Sequence, residues 1–148
     1  MVKSFLDHAY FEALKAYEIK EVPVGAIIVQ NETIIASAYN QKETLNDCTE
    51  HAEMAVIRKA SKLLQQWRLL DCDIYCSLEP CLMCATAIIH ARIKNVYYGV
   101  KDNKWGGETH FNIFSQNYFN HKVNSNYIEH KKSKVLLKNF FKERRKQA

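Results

Sequence analysis

Two short blocks, His51-Ala52-Glu53 and Pro80-Cys81-Leu82-Met83-Cys84, constrain this chain more than anything else in it. One imidazole and two thiolates make three ligands for a zinc ion. The fourth tetrahedral position is then open for water, as in catalytic zinc sites; structural sites fill all four with protein side chains. Glu53 stands two residues from His51, close enough to reach a metal-bound water without being needed as a ligand. Such a water has its pKa lowered to about 7, and a neighbouring carboxylate can take and return its proton.

The local spacings favour one ion. Cys81 and Cys84 are three apart, so on a helix they share a face. Pro80 suits a first helical turn, where its missing N–H costs nothing. The positive end of a helix favours the thiolates that zinc requires. His51 and Glu53 also open an apolar-periodic segment, continued by Met54, Ala55 and Ile57. Two helix starts converging on one metal is the geometry this predicts. The competing reading is a structural zinc knuckle closed by Cys48, three residues before His51, or buried cysteines and histidine with no metal. A closed site leaves Glu53 without a role.

At 148 residues the chain is expected to form a single domain spanning 1–148, large enough for a sizeable core. Hydrophobic residues at 47% and charged at 25% are ordinary globular values. No apolar stretch approaches the roughly 20 residues of a membrane span, and no signal-peptide pattern opens the sequence. There are five cysteines. With two assigned to zinc, Cys48, Cys72 and Cys76 read as reduced thiols of a cytoplasmic protein, Cys72 and Cys76 as core filler on a strand.

Helical spacing over residues 3–17 predicts a first helix, with Phe5, Leu6, Ala9, Ala13 and Leu14 on its apolar face. Two β-branched runs, 24–30 and 33–39, flank Asn31-Glu32 as a hairpin. A helix over 51–63, a strand over 73–78, a helix over 81–91, strands over 94–100 and 124–129 and a helix over 131–145 follow. This order predicts an α/β domain of three layers, α/β/α, whose mixed central sheet has about five strands. Ligands in such sheets gather beyond the carboxyl ends of strands, where both candidate metal blocks fall.

The His-x-Glu and Pro-Cys-x-x-Cys pair is the signature of zinc nucleobase deaminases. On it, and on further segments, the chain resembles the cytidine deaminase-like superfamily and, within it, the bacterial tRNA adenosine deaminases. Glu21-Val22-Pro23-Val24-Gly25-Ala26 is similar to that family's opening strand, and Ala38-Tyr39-Asn40 to its substrate asparagine segment. Ser77 through Ala85 and His90-Ala91-Arg92-Ile93 resemble its zinc helix; Tyr98 to Asp102, Asn120-His121-Lys122-Val123 and Phe140 to Arg145 complete the resemblance. The departure is Trp105-Gly106-Gly107-Glu108-Thr109-His110-Phe111, where that branch has a loop of small residues.

The resemblance implies a cytidine deaminase-like fold and hydrolysis of adenosine to inosine in tRNA, at the wobble position of an anticodon stem-loop. It implies one Zn2+ per subunit on His51, Cys81 and Cys84, with Glu53 as the catalytic proton carrier for attack of water at C6 and departure of ammonia. Loop bases are already unpaired, so moving one into a pocket costs less than from a duplex. Glu21, Val24, Asn40, Pro80, Leu82 and Asp102 would line the pocket or its mouth, and a homodimer is expected. The alternatives are a deaminase of a free base or nucleoside, such as cytosine or guanine, and an inactive RNA-binding subunit, for which Glu53 has no use.

Other residues are open to two readings. Asn40 can donate and accept toward a base edge, or serve as a turn residue after the second strand. His8, His110 and His130 are expected at the surface, His90 at a helix end; His121 is expected to orient a loop. Trp67 and the Leu and Met positions are expected in the core, whereas Trp105 is either a stacking surface or a loop anchor. Eight Lys or Arg fall between Lys131 and Lys146, opposed only by Glu143. They read as the solvated face of a helix whose Val135, Leu136, Leu137 and Phe140 pack on the sheet. With Phe141, Arg144 and Arg145 they also read as an RNA clamp, because an aromatic beside cations suits an unstacked base.

Overall fold

Asn31 and Glu32 join β1 (Gly25–Gln30) to β2 (Thr33–Tyr39), and both have left-handed backbones, φ 50° and 61°. A two-residue turn of that hand matches the twist of the strands it joins, so the hairpin is specified locally. The two strands pair antiparallel from Gly25 opposite Tyr39 to Gln30 opposite Thr33, with a bulge at Ile28/Val29. In the computed structural model, which describes residues 1–147, β1 also pairs antiparallel with β3 (Cys72–Cys76). β4 (Asn95–Tyr98) and β5 (Asn124–Tyr127) then add in parallel, giving one mixed five-stranded sheet in the order β2-β1-β3-β4-β5.

β1 is buried on both faces, which explains its unbroken apolar run. Alternate residues serve different layers. Ile27, Val29 and Tyr75 pack with Leu6 of α1 (Val2–Glu18), while Ala26, Ile28, Cys72, Ile74 and Cys76 join the larger core. In that core they meet Val56 of α2 (Ala52–Leu64) and Ile88 of α3 (Leu82–His90). Gly25 permits α1 to lie this close: a Cβ there would sit 2.1 Å from the Ala9 carbonyl oxygen. Both Cys72 and Cys76 are core residues, as their strand parity predicts. No described helix is long and apolar enough to cross a membrane.

The segment 105–111, expected as a loop, contains a short helix α4 (Gly107–Phe111), and a 3₁₀ turn (Ile113–Ser115) follows it. The final helix α5 (Lys131–Gln147) docks on α1, not on the sheet, and Val135 is exposed. Ser133, Leu136, Leu137 and Phe140 form the buried stripe at helical spacing, which leaves Val135 off it. Tyr17 of α1 completes the contact, donating to Glu143 at 2.6 Å and meeting the Phe140 ring edge-on.

His130, expected at the surface, is buried. Its Nδ1 accepts from the Ser133 amide, so the proton belongs on Nε2, which contacts Asp7 of α1 at 2.6 Å. It thereby caps α5 and pins it to α1. Trp67 is also misplaced by the sequence reading: it is 54% exposed, while Leu69 occupies the core. Gln65 ends α2 in a left-handed conformation and turns the following residues outward. Leu45, Leu63 and Leu70 are likewise exposed.

Candidate active site

His51 and Cys81 are the N-caps of α2 and α3, both with extended backbones, and neither side chain caps its own helix. They are free to face each other. The His51 Nδ1 lies 3.7 Å from the Cys81 sulfur and 3.5 Å from that of Cys84, and the three ligand atoms all fall within 4.8 Å. A tetrahedron with Zn–S near 2.3 Å and Zn–N near 2.0–2.1 Å has N···S edges of about 3.6 Å. The donor set therefore fits zinc in type and in spacing. Cys84 occupies the first turn of α3, so two helix N-termini converge on the cluster and favour anionic sulfur. Pro80 precedes the N-cap and is not in the first turn: the chain stays extended through Cys81. Cys48 is exposed and does not belong to the cluster, so among the described residues no fourth protein ligand closes it.

Protonation supports a cation here. The Cys84 thiol, donating to the Cys81 sulfur, holds Cys81 as a thiolate with its pKa lowered to about 4; its contact with His51 adds to this. That same donation raises Cys84, and its burial raises it further. His51 is raised, mainly by its bond to Cys81. Half-buried Cys81 and buried Cys84 thus share one proton, and a bound cation is what would replace it.

Glu53 is 4% exposed, in the first turn of α2. Burial, and then the charge of Cys81, raise its carboxyl to about 7. A carboxyl poised near neutrality beside a three-ligand cluster can accept and return a proton.

The other candidates fall into three groups. Glu21, Val24 and Asn40 frame the segment that leads into His51. The Glu21 carboxylate accepts from the Glu43 amide and from the amide and hydroxyl of Thr44, at 3.1, 2.6 and 2.7 Å. Asn40 donates to the Val22 carbonyl and accepts from the Lys42 amide, both at 3.1 Å, and its own amide donates to Val24. It is a turn residue whatever else it does. Pro80, Leu82 and Asp102 lie around the start of α3: Leu82 is exposed and follows Cys81, and Asp102 accepts from the Lys104 and Trp105 amides. Phe141, Arg144 and Arg145 are exposed on α5, and no described hydrogen bond or ring contact joins them to the cluster. His121 contacts the Ile93 carbonyl oxygen through Nε2 at 2.7 Å, bracing the approach to β5.

Glu79 escaped the sequence reading. It is 2% exposed and accepts from Asp102 and Thr109, fastening segment 102–109 to the start of α3. The available signal was a carboxylate directly before Pro80-Cys81, in an otherwise apolar stretch.

The MafB19-like deaminase family matches residues 3–145. A tRNA-specific adenosine deaminase of Agrobacterium fabrum is 45% identical over 144 residues, covering 95% of this chain and 94% of that protein. A structure solved in studies of A-to-I editing by tRNA:A34 deaminases at the wobble position of transfer RNA is 43% identical. It superposes with a TM-score of 0.87, over 90% of this chain and 99% of the other. The guanine deaminase of Bacillus subtilis is 34% identical at a TM-score of 0.66, over 82% and 81%. With matches this long on both counts, the chain belongs to the MafB19-like deaminase family, alongside the tRNA-specific adenosine deaminases.

Proposed function

We propose that this protein converts adenosine to inosine in tRNA, at the wobble position of an anticodon loop, releasing ammonia. The observation that carries the chemistry is Glu53, buried, raised to about 7 and set beside His51, Cys81 and Cys84. Those three residues would hold one zinc ion per subunit. Bound there, zinc would acidify a water and so supply the nucleophile near neutral pH. Glu53 carries the proton: it accepts one from the attacking water and delivers it to the ring nitrogen of adenine. It then takes the remaining hydroxyl proton from C6 and hands it to the amino group, so that the C6 carbonyl forms as C6–N breaks and ammonia leaves. Val24, Pro80 and Leu82 would wall the base, and Glu21, Asn40 and Asp102 would hold the segments around it. Phe141, Arg144 and Arg145 would grip the RNA outside the pocket. A cytoplasmic homodimer is the form expected.

The tRNA substrate is supported by end-to-end similarity to tRNA-specific adenosine deaminases, higher in identity and TM-score than that to the guanine deaminase. Mass spectrometry of tRNA incubated with and without the zinc-loaded protein should detect inosine only with it. Conversion of guanine or cytosine, with an untouched anticodon stem-loop, would sink this reading in favour of a free-base deaminase. Replacing both Arg144 and Arg145 with Ala should weaken stem-loop binding and flatten its salt dependence, by roughly 1.4 in the log–log slope for two single-strand phosphate contacts.

A further inference from the structure

The segment from Asp102 to Phe111 crosses the start of α3 and is fastened to it at several points. Glu79 accepts from the Asp102 amide at 3.1 Å, the Thr109 amide at 2.8 Å and the Thr109 hydroxyl at 2.6 Å. The Gly107 amide donates to the Pro80 carbonyl at 3.0 Å, and Gly106 pairs with Cys81 in an isolated β-bridge. A Cβ on Gly106 would stand 2.2 Å from the Glu79 carboxylate and 2.5 Å from the Asp102 carbonyl oxygen, so glycine alone fits this strap.

Trp105 is the residue before that glycine. Its amide is fixed by Asp102 at 3.1 Å, yet its side chain is 67% exposed. The other tryptophan, Trp67, lies under two guanidinium groups, Arg68 at 4.3 Å and Arg92 at 5.7 Å. Among the described residues no ring or cation contact involves Trp105. A rigid backbone thus displays a bare indole one residue from the strand-like pairing with a metal-ligand cysteine. Lys104, also exposed, stands beside it as a partner for phosphate. An aromatic face with an adjacent cation is what an unstacked nucleotide needs, and a fixed face loses little freedom on binding.

We propose that Trp105 is a specificity-determining residue that stacks on the nucleotide flanking the target adenosine, with Glu79 positioning the strap that presents it. The inference rests on the RNA-loop substrate proposed above.

The two tryptophans make the test direct. In Trp67→Phe protein Trp105 is the sole indole, and saturating anticodon stem-loop should quench its emission strongly. Trp105→Ala should raise the KM for that stem-loop about tenfold with kcat and zinc content unchanged, and Trp105→Phe should restore most of the loss. Removing the bases on either side of the target adenosine should abolish the difference between Trp105→Ala and the unaltered protein. If the unaltered protein makes inosine but Trp105→Ala leaves KM unchanged, or RNA leaves Trp105 emission untouched, the stacking role is overturned. If the unaltered protein makes no inosine at all, the RNA reading falls first and the inference falls with it.

Discussion

Glu53, in the first turn of α2, and Glu21, just before β1, are both buried carboxylates, and their surroundings push them in opposite directions. At Glu53, burial and the Cys81 thiolate dominate, and its own amide and Cys84 offset them only in part. At Glu21, burial also pushes upward, but the Thr44 hydroxyl and amide and the Glu43 amide together hold the carboxyl below its usual range. Burial makes a carboxylate costly; the donors around it decide whether the cost is met by hydrogen bonds or by a proton. A carboxylate with donors fastens chain to chain. One whose donors do not offset its burial is left able to exchange a proton, which is what hydrolytic deamination asks of it.

The largest expected effect separates these roles. Glu53→Gln keeps the shape and the zinc ligands but cannot carry a proton, so deamination should fall by about 10²–10⁴-fold while zinc content stays near normal. Cys84→Ser should instead lose the metal and lower stability, because the ion ties the starts of two helices together. Metal analysis beside a rate assay checks both. Loss of zinc in Glu53→Gln would falsify the proton-carrier role and make Glu53 a ligand.

The contrast also has a pH signature in the metal-free protein. Glu53 is raised from 4.5 to about 7, so between those values the folded chain keeps a proton that the unfolded chain has released. Stability should therefore fall as pH rises from about 4.5 to 7, and Glu53→Gln should remove that slope. Glu21 acts with the other sign. Its folded pKa is depressed, so its stabilisation is present above 4.5 and is lost as pH falls through the folded value. Glu21→Gln should cost about 2–3 kcal/mol at neutral pH, and the difference should shrink in acid. Denaturant melts of both variants across pH read the two slopes; slopes of the same sign would break the comparison.

The sequence made the reactive half of this contrast legible and hid the fastening half. Candidate metal ligands come in local blocks, so spacing alone put His51, Cys81 and Cys84 at helix starts, where the structure brings their ligand atoms together. The hairpin was legible at Asn31-Glu32 because turn and strand signals are local too. Glu21 and Glu79 find their donors 22 to 30 residues away, where no periodicity reports them. α4 spans only Gly107–Phe111, too short for a helical repeat to show. His130 looked like a surface residue because its partner Asp7 is 123 residues distant. Asn40 was open between base contact and turn, and its bonds to Val22 and Lys42 give it at least the turn.

The smallest effect tests whether Glu79 belongs with Glu21 or with Glu53. Glu79 is as buried as either, and it lies next to Pro80-Cys81, near enough to the cluster to be mistaken for a second proton carrier. Its three donors place it with Glu21: the amides of Asp102 and Thr109 and the Thr109 hydroxyl fill both oxygens. Thr109→Val removes only the hydroxyl, leaving two backbone donors and nearly the same volume. The expected cost is about 1 kcal/mol, a fall in Tm of about 2–4 °C for a chain of this size, with zinc content and kcat unchanged. Were Glu79 a proton carrier, the hydroxyl would tune its acidity. The same substitution would then shift the pH profile of kcat while Tm stayed put. A fastening carboxylate moves Tm and leaves that profile alone, so a single variant assigns Glu79 to one class or the other.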